Sequence, residues 1–321
     1  MDIRQLQAFA AVMSTGSITA AGQALGRSQP TITRLIQELE ARLGYALFVR
    51  QGPKVLPTEQ GFQIYDDVMN ALHSVKNVEQ KAAAIAGETL EPLRISATSA
   101  LMCGLVPQAL AKMTTCKERT SIRSASPEQV VRDVISGAAH VGLSSLPLDH
   151  SGVKVHWIGS APCVVAIPKN SPLASKNTLN EGDLLPYTPI TMANPYRLRQ
   201  RLRQALPEVF QKTGLIETNS SVNALCAVKA GLGVAVLEPL SCQGLAIEGV
   251  TVRPLEVTIP FHFGAITLQG RQNTSAVEAF IHLLQLQASL IAGFQLHKVS
   301  QYREILHEQH VDACSEKVVE Q

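Results

Sequence analysis

The chain has 321 residues, 45% of them hydrophobic and 17% charged, which suits two or three packed domains and excludes a disordered protein. Its 28 Lys and Arg residues against 26 Asp and Glu residues leave a net charge of +2, which excludes wrapping of nucleic acid by bulk charge alone. Because no apolar stretch reaches the length of a membrane span and no signal peptide is visible, we expect a cytoplasmic protein without membrane contact.

The first 45 residues predict three short helices. Ser17 is placed to cap the second helix and Ser28 to cap the third, which runs to Leu43. Gly16 and Gly44 close the first and third helices. The first helix carries apolar residues at helical spacing: Leu6, Phe9, Ala10 and Met13. Two short helices joined by a tight glycine-containing turn predict a helix-turn-helix.

A short two-stranded wing follows the three helices. Leu47–Arg50 and Lys54–Leu56 read as strands, and Gln51-Gly52-Pro53 reads as the turn between them. Helices alone could form a structural bundle, but helices followed by a wing favour DNA binding.

A long helix is predicted from Phe62 to about Ala86, with Thr58 as its cap. A narrow apolar stripe recurs along it at alternating steps of three and four: Tyr65, Met69, Leu72, Val75, Val78, Ala82 and Ile85. This pattern predicts a dimerising helix, held as a coiled-coil pair. The alternative is a helix that packs on its own domain. Residues 87–92 read as a hinge.

From Leu93 onward, short apolar strands alternate with helices, which predicts parallel α/β sheets with helices on both faces. The helices include Ser99–Met113 and one that opens at Ser126-Pro127-Glu128. The strands include Cys163–Ile167, and we expect two subdomains with crossovers near Ile167 and Pro260 and a cleft between them.

The N-terminal residues form a long, ordered motif that resembles the LysR-type transcriptional regulators. The matching runs are Gln5–Phe9, Gly16–Ala21, Leu25–Thr33, Leu39-Glu40, Leu43-Gly44, Leu47–Arg50 and Pro57–Gly61. The C-terminal region resembles their periplasmic-binding-protein-like effector domain, so the resemblance covers about residues 1 to 295. Ala97–Leu101 and Ile190–Pro195 also resemble the amino-acid- and opine-sensing branch.

The resemblance implies a homotetramer, a dimer of dimers joined by the long helices, which binds double-stranded promoter DNA. A small co-inducer in the cleft would change DNA bending, and RNA polymerase is a possible further partner. The resemblance places the third helix in the major groove, with these DNA-facing residues there and in the wing: Ser28, Gln29, Pro30, Thr31, Thr33, Arg34, Arg50 and Lys54. Physical chemistry agrees, because Gln reads adenine, Arg reads guanine, and Thr contacts phosphate or a thymine methyl group. For Arg34 the alternative is a surface ion pair with Glu38, one helical turn away.

The predicted cleft is lined by hydroxyl and amide side chains at strand ends. Ligands of open α/β sheets bind outside the carboxyl ends of the strands, where backbone N–H groups favour an anion. The candidates for effector binding are Thr98, Ser99, Ser126, Ser144, Asn194, Thr218 and Asn219. They suit a small polar or carboxylate-bearing effector, such as an amino acid or its derivative. Each serine could equally be an ordinary helix cap.

The predicted domains are a winged helix-turn-helix domain (1–61), a linker helix and hinge (62–91), an α/β effector domain (92–295) and a tail (296–321). Within the effector domain, subdomain I covers about 92–167 and 261–295, and subdomain II covers 168–260. The all-α winged domain followed by a mixed α/β region is the predicted fold class.

No catalytic residue, cofactor or metal is predicted, because nucleotide-binding and nucleophile-elbow motifs are missing from the sequence. His307, His310 and Cys314 would share a helical face, but a solvated tail is expected there. Six cysteines without regular spacing predict reduced, buried thiols, and Cys103 is kept open as a redox sensor. The alternative function is a cytoplasmic ligand-binding or enzymatic α/β protein that uses its N-terminal helices only for dimerisation.

Overall fold

The computed structural model describes residues 1–51, 54–85, 92–113, 120–146, 150–193, 198–211 and 214–301. The chain divides into two compact units, Met1–Glu91 and Pro92–Gln321. The described helices contain no segment that is both long and apolar enough to cross a membrane.

The described residues of the first unit form four helices and a two-stranded sheet: α1 (Ile3–Thr15), α2 (Ile18–Ala24), α3 (Gln29–Leu43), β1 (Phe48–Gln51), β2 (Lys54–Pro57) and α4 (Glu59–Ile85). Local chemistry sets these boundaries. Asp2 forms a capping box with Gln5 at the start of α1, and the Ser17 hydroxyl accepts from Ala20 N (3.3 Å) at the start of α2. Gly16 and Gly44 end α1 and α3 in the left-handed conformation, as the sequence predicts.

The core of the first unit joins all three N-terminal helices to the wing and to α4. Phe9 is completely buried, and its ring centroid lies 5.5 Å from that of Phe48 and 6.2 Å from that of Tyr65. Ile32 and Leu39 of α3 are also completely buried. The apolar face of α3 therefore packs into the core, and the opposite face of the helix is exposed to solvent.

Helix α4 begins three residues before the predicted start. The Thr58 hydroxyl accepts from Gly61 N (3.0 Å), which confirms its capping role. The N-terminal half of α4 packs on the first unit through Tyr65, Val68 and Leu72. Val78, in contrast, is 66% exposed, so the apolar stripe continues beyond the part that packs on the unit itself.

The second unit contains two sheets that define two lobes. The first lobe has six strands in the order β13-β6-β12-β5-β3-β4. These strands are β3 (Leu93–Ala97), β4 (Thr120–Ser124), β5 (Val141–Ser145), β6 (Val153–Pro162), β12 (Pro260–Leu268) and β13 (Gln295–His297). The second lobe has five strands in the order β11-β7-β10-β8-β9. These are β7 (Val164–Pro168), β8 (Pro189–Met192), β9 (Ile216–Thr218), β10 (Val234–Leu237) and β11 (Val250–Pro254).

Nine helices of the described part of this unit cover or connect the sheets: α5 (Ser99–Gly104), α6 (Val106–Ala111), α7 (Pro127–Ile135), α8 (Glu181–Leu184), α9 (Leu198–Ala205), α10 (Pro207–Phe210), α11 (Ser221–Lys229), α12 (Pro239–Leu245) and α13 (Ser275–Ala288). One hydrophobic cluster runs through both lobes and includes Leu143, Val165 and Phe263. The two lobes therefore share a continuous core.

The structure corrects three features of the predicted second unit. Both sheets are mixed rather than parallel, because β6, β7 and β12 pair antiparallel with their neighbours. The strand predicted at Cys163–Ile167 belongs to the second sheet, so the first crossover lies at Cys163 and not near Ile167. The sequence pattern missed β6 because this strand is partly exposed and lacks a continuous apolar run.

The helix predicted over Ser99–Met113 is also broken. Leu105 has φ −130° and ψ −45° and separates α5 from α6. Pro107 follows at the start of α6, where it supplies no N–H group and its ring would clash with a continuing turn. The chain therefore starts a new helix instead of extending α5.

The predicted tail begins with ordered structure. Gln295–His297 pairs antiparallel with β6, and Val299–Gln301 forms a short 3-10 turn. The His297 ring nitrogen Nε2 lies 2.7 Å from Ser160 Oγ. The cluster of His307, His310 and Cys314 lies outside the described residues.

Candidate DNA-binding surface and effector cleft

The N-terminal half of α3 presents a polar surface to solvent. Ser28, Gln29, Pro30 and Arg34 are exposed, while Thr31 and Thr33 are half-buried. Ser28 is the N-cap residue, but its side chain makes no capping bond to the backbone. Its Oγ instead lies 2.8 Å from Thr31 Oγ1, so the two hydroxyls pair with each other.

Arg34 forms the ion pair that the sequence offered as an alternative. Its Nε lies 3.6 Å from Glu38 Oε1, and both side chains are largely exposed. A surface pair at this spacing contributes about 0.3–0.5 kcal/mol. The pair therefore holds the guanidinium weakly, and phosphate or a base edge could displace Glu38.

The wing strands β1 and β2 form an antiparallel pair, with Gln51 opposite Lys54. Arg50 and Lys54 belong to these strands, but the placement of their side chains lies outside the described part of the chain, as do Gly52 and Pro53. The residue that fixes the wing, Glu40, has no distinctive signal in the sequence. Glu40 of α3 accepts from Leu47 N (2.7 Å) and Phe48 N (3.1 Å), which ties the first wing strand to the recognition helix.

In the second unit, the first lobe brings several predicted residues to one edge of its sheet. β3 and β5 are parallel neighbours, with Ala97 opposite Leu143. Thr98 and Ser144, the next residue along the chain in each case, are therefore side by side. Thr98 is the N-cap of α5, and its backbone N donates to Leu143 O (3.0 Å). Its Oγ1 is buried without a hydrogen-bond partner. Ser99, the first residue of α5, is half-buried.

The other two serines of this lobe differ in their surroundings. Ser126 is exposed and caps α7, because its Oγ accepts from Gln129 N (3.3 Å). Ser144 is completely buried, and its Oγ donates to Ser145 O (3.2 Å). Ser126 thus has the ordinary capping role that the sequence left open.

The second lobe offers a matching set of strand ends. Thr218 Oγ1 donates to Ser220 O (2.9 Å), and the exposed Asn219 accepts from Asn223 Nδ2 (3.1 Å) through its Oδ1. Both side chains therefore have local partners. Asn194 lies outside the described residues. Sequence reasoning missed Thr191 of β8, which is completely buried and whose Oγ1 has no hydrogen-bond partner.

Contacts between helices bring the strand ends of the first lobe and those of the second lobe to the same side of the unit. α5 follows the end of β3 in the first lobe, and it packs against α11 and α12, which follow β9 and β10 in the second. The carboxyl ends of the parallel strands in the two lobes therefore face the same junction. Ligands bind at such junctions in open α/β sheets.

A buried carboxylate lies at the end of β10. Glu238 is 2% exposed and caps α12, where it accepts from Ser241 N (2.8 Å) and Ser241 Oγ (2.7 Å). Burial raises the pKa of Glu238, and hydrogen bonds from Ser221 and Ser241 oppose that shift. Its only signal in the sequence is its position before Pro239.

A polar contact joins the two lobes. Arg201 of α9 donates through Nη1 to Pro260 O (2.7 Å) and to His262 Nδ1 (2.8 Å). Burial, followed by the nearby charge of Arg201, lowers the pKa of His262 to about 4. The imidazole is therefore neutral near pH 7, with Nδ1 as the acceptor and Nε2 carrying the proton.

The thiols do not match a redox site. Cys103, Cys163, Cys226 and Cys242 are free cysteines of the described chain. Burial raises the pKa of Cys103, with a further contribution from Glu238, and burial raises that of Cys242 to about 12. A reactive thiol needs a lowered pKa, so the surroundings of Cys103 do not favour the redox role considered for it. The described residues contain no group of three or more potential metal ligands.

A winged helix-turn-helix unit and a two-lobed α/β unit with a polar junction define a DNA-binding, ligand-responsive class of protein. Comparison with known families assigns both units. Residues 3–62 match the bacterial regulatory helix-turn-helix proteins of the lysR family, and residues 86–289 match the LysR substrate binding domain.

Several relatives are similar over most of their length. The transcriptional activator protein LysR of Escherichia coli (strain K12) is 26% identical over 288 residues, which cover 89% of this chain and 93% of the relative. The octopine catabolism/uptake operon regulatory protein OccR of Rhizobium meliloti is 28% identical over 281 residues, 87% of this chain and 94% of the relative. Full-length CbnR in complex with its target DNA has the same fold, with a TM-score of 0.67, 22% identity, and coverage of 90% and 100%.

The chain belongs to the LysR family of bacterial transcriptional regulators. It is a DNA-binding regulator with an effector-binding domain and not an enzyme. The alternative of a ligand-binding or enzymatic protein that uses its N-terminal helices only for dimerisation is therefore excluded. Regulators of this family bind promoter DNA and small-molecule effectors and form oligomers.

Proposed function

We propose that this regulator senses a small carboxylate-bearing effector, an amino acid or a derivative of one, at the junction of its two lobes. The observation that carries the proposal is the pair of buried, unpartnered hydroxyls of Thr98 and Thr191, one from each lobe. A buried hydroxyl without a partner costs about 1–3 kcal/mol, and a polar ligand that bonds both would recover that cost. The effector would thereby favour one arrangement of the lobes.

Two further observations support the ligand class. Thr98 and Ser99 stand at a strand end where backbone N–H groups favour a carboxylate, and Ser144 is buried beside them. The relative OccR is named for octopine catabolism and uptake. Octopine, an amino-acid derivative, is therefore the first compound to test, beside L-arginine and L-lysine. Ser126, Asn194, Thr218 and Asn219 complete the proposed contacts.

The test replaces Thr98, Ser99 or both with alanine in the full chain. We expect a loss of about five- to thirtyfold in effector affinity for Thr98→Ala, because a ligand hydrogen bond is worth roughly 1–2 kcal/mol. Ser289→Ala, at the exposed end of α13, is the matched control. Titration calorimetry with the three compounds measures the difference. Equal affinity in Thr98→Ala and in the control would exclude this site.

For the DNA-binding surface, we propose major-groove contacts by Ser28, Gln29, Pro30, Thr31, Thr33 and Arg34, and phosphate contacts by Arg50 and Lys54. The exposed polar face of α3 supports the first set, and the wing position supports the second. The protein would act in the cytoplasm, where promoter DNA and RNA polymerase are its partners.

For assembly, we propose that the exposed apolar residues of α4 pair two chains and that two such dimers form a tetramer. Met69 is 43% exposed and Val78 is 66% exposed, which leaves an apolar stripe without a partner in the single chain. We expect Val78→Glu to reduce the sedimentation coefficient to that of a smaller species. An unchanged coefficient would place the interface elsewhere.

A further inference from the structure

Two short helices from different lobes cross at a pair of glycines. Gly104 is the last residue of α5, and Gly244 lies in α12. A Cβ atom on Gly104 would lie 2.7 Å from both Leu240 O and Leu240 Cβ, and one on Gly244 would lie 2.4 Å from Cys103 O. Neither glycine has a positive φ, so the approach of the opposite backbone, and not conformational strain, requires glycine at both positions.

Both helices begin at the strand ends that line the junction. Thr98, whose hydroxyl is buried and unpartnered, is the N-cap of α5, and Glu238 is the N-cap of α12. With six residues, α5 is only about 9 Å long. The glycine crossing at one end of α5 therefore lies about two turns from the proposed effector contact at the other end.

Neither helix can absorb a displacement by itself. The N-terminus of α5 is fixed to its own lobe by the bond from Thr98 N to Leu143 O (3.0 Å). The N-terminus of α12 is fixed to the second lobe by Glu238, which directly follows β10, is buried, and accepts a hydrogen bond from Ser221 of α11. Packed helices with fixed ends transmit a local expansion to the bodies that carry them.

From this geometry, we propose that the Gly104–Gly244 crossing is a positioning joint that sets the separation of the two lobes and thereby the effector affinity. The proposal rests on the proposed function, in which the effector binds between the lobes. Gly104 and Gly244 do not contact the effector. They act through the position of Thr98 relative to the second lobe.

The added Cβ atoms meet backbone atoms, which determines the expected response. The clash partners Leu240 O and Cys103 O cannot rotate away as the end of a flexible side chain could. An alanine at either glycine must therefore separate the helices by several tenths of an ångström to about one ångström. Because the ends of both helices are anchored, the lobes move apart.

The first test is structural and needs no ligand. Crystal structures of full-length Gly244→Ala and Gly104→Ala are compared with that of Gly214→Ala, whose added Cβ meets no atom within 4 Å and whose φ is not positive. We expect the Thr98 Cα to Thr191 Cα distance to increase by about 0.5–1 Å in both joint variants, with each lobe unchanged internally. The control distance stays the same.

Two results would overturn the joint. One is an unchanged Thr98–Thr191 distance, with the displacement taken up inside α5 or α12. The other is that both joint variants fail to fold while Gly214→Ala folds. A joint between the lobes must allow a small separation of the two helices, whereas a contact needed only for core packing need not allow it.

The second test measures binding, with octopine, L-arginine and L-lysine as the probes. For a probe that binds the wild type, we expect both joint variants to lose at least about tenfold in affinity, while Gly214→Ala binds like the wild type. Wild-type affinity in both joint variants would also overturn the joint. If the wild type binds none of the three probes, the proposed effector class fails, and the distance measurement still decides the joint.

Discussion

The two units of this regulator place their functional polar groups in opposite environments. On the first unit, most of the helix α3 residues proposed to read DNA are exposed, and Arg34 pairs with the neighbouring Glu38. In the second unit, the hydroxyls of Thr98, Ser144 and Thr191 at the strand ends are buried, and those of Thr98 and Thr191 have no partner. Substitutions in the first surface should therefore affect binding alone, and those around the second should also affect folding.

The largest effect on stability is expected at Asp133 of α7. This buried carboxylate accepts from Ser96 Oγ (2.6 Å), Gln129 Nε2 (2.7 Å) and Arg123 Nη1 (3.3 Å), and so ties α7 to β3 and β4. We expect Asp133→Ala to lower the free energy of unfolding by about 2–4 kcal/mol, because the buried Ser96 hydroxyl and the Gln129 amide lose their acceptor. Urea unfolding followed by Trp157 fluorescence measures it, because the only tryptophan of the chain lies in this unit.

Asp133→Asn is the control, because it keeps the side-chain volume and part of the hydrogen bonding. We expect it to cost clearly less than the alanine variant. If Asp133→Ala costs less than about 1 kcal/mol, the polar groups of the second unit do not stabilise it, and the contrast between the units is wrong.

The next effect concerns pH. The pKa of His262 is lowered to about 4 from an ordinary value of 6.5, so the folded protein binds fewer protons there than the unfolded chain. The contribution of neutral His262 to the free energy of unfolding is therefore fully present above about pH 6.5. It is lost as the pH falls toward 4, by at most about 3 kcal/mol. Melting temperatures between pH 7.5 and 4.5 measure the slope.

His262→Asn separates this effect from the background. The asparagine oxygen can accept from Arg201 in place of Nδ1 and does not titrate. A residual slope is expected in both proteins because burial also lowers the pKa of His156. Equal slopes in the wild type and in His262→Asn would show that the Arg201–His262 contact does not depend on a neutral imidazole.

Glu40 is the expected exception within the first unit. Its carboxylate holds the backbone N–H groups of Leu47 and Phe48, so Glu40→Ala should destabilise the wing by about 2 kcal/mol and also weaken DNA binding. Hydrogen exchange at these two amides measures the first effect. Glu38→Ala is the control, because it removes only exposed contacts, the pair with Arg34 and a hydrogen bond from Gln5 Nε2 (3.2 Å), and touches no wing amide. Unchanged exchange in Glu40→Ala would mean that the wing does not depend on this carboxylate.

The smallest effect on stability is expected at Arg34. Arg34→Ala should weaken DNA binding by about tenfold or more and change the free energy of unfolding by less than about 0.5 kcal/mol. Fluorescence anisotropy uses a site selected from random double-stranded DNA by the full-length protein. If Arg34→Ala binds DNA with wild-type affinity, Arg34 does not contact DNA and serves only in its pair with Glu38.

The same contrast explains how much could be predicted from the sequence. The first unit follows from local signals, because caps such as Ser17, terminators such as Gly16 and the apolar period of α3 act within one or two turns. The position of Thr98 and Ser144 near strand ends could also be predicted, because each follows an apolar run in the sequence.

The missed features depend on contacts between distant residues. In the sequence, Glu40 cannot be told from the other charged residues of α3, because its role depends on the wing folding against it. Thr191 is likewise an ordinary threonine in a short strand. The crossover at Cys163 and the edge strand Gln295–His297 depend on pairing with residues far away in the sequence. Pro107 was visible, and its break of the predicted Ser99–Met113 helix should have been inferred.

The most direct test of the account measures DNA affinity of the full chain against salt concentration, with and without octopine, L-arginine or L-lysine. We predict a steep loss of affinity as salt rises, because phosphate contacts release counterions. We also predict that at least one of these compounds changes the affinity or the bend angle in the wild type and not in Thr98→Ala. A DNA complex that none of the three changes, or a response that Thr98→Ala retains in full, would contradict effector control through the junction of the lobes.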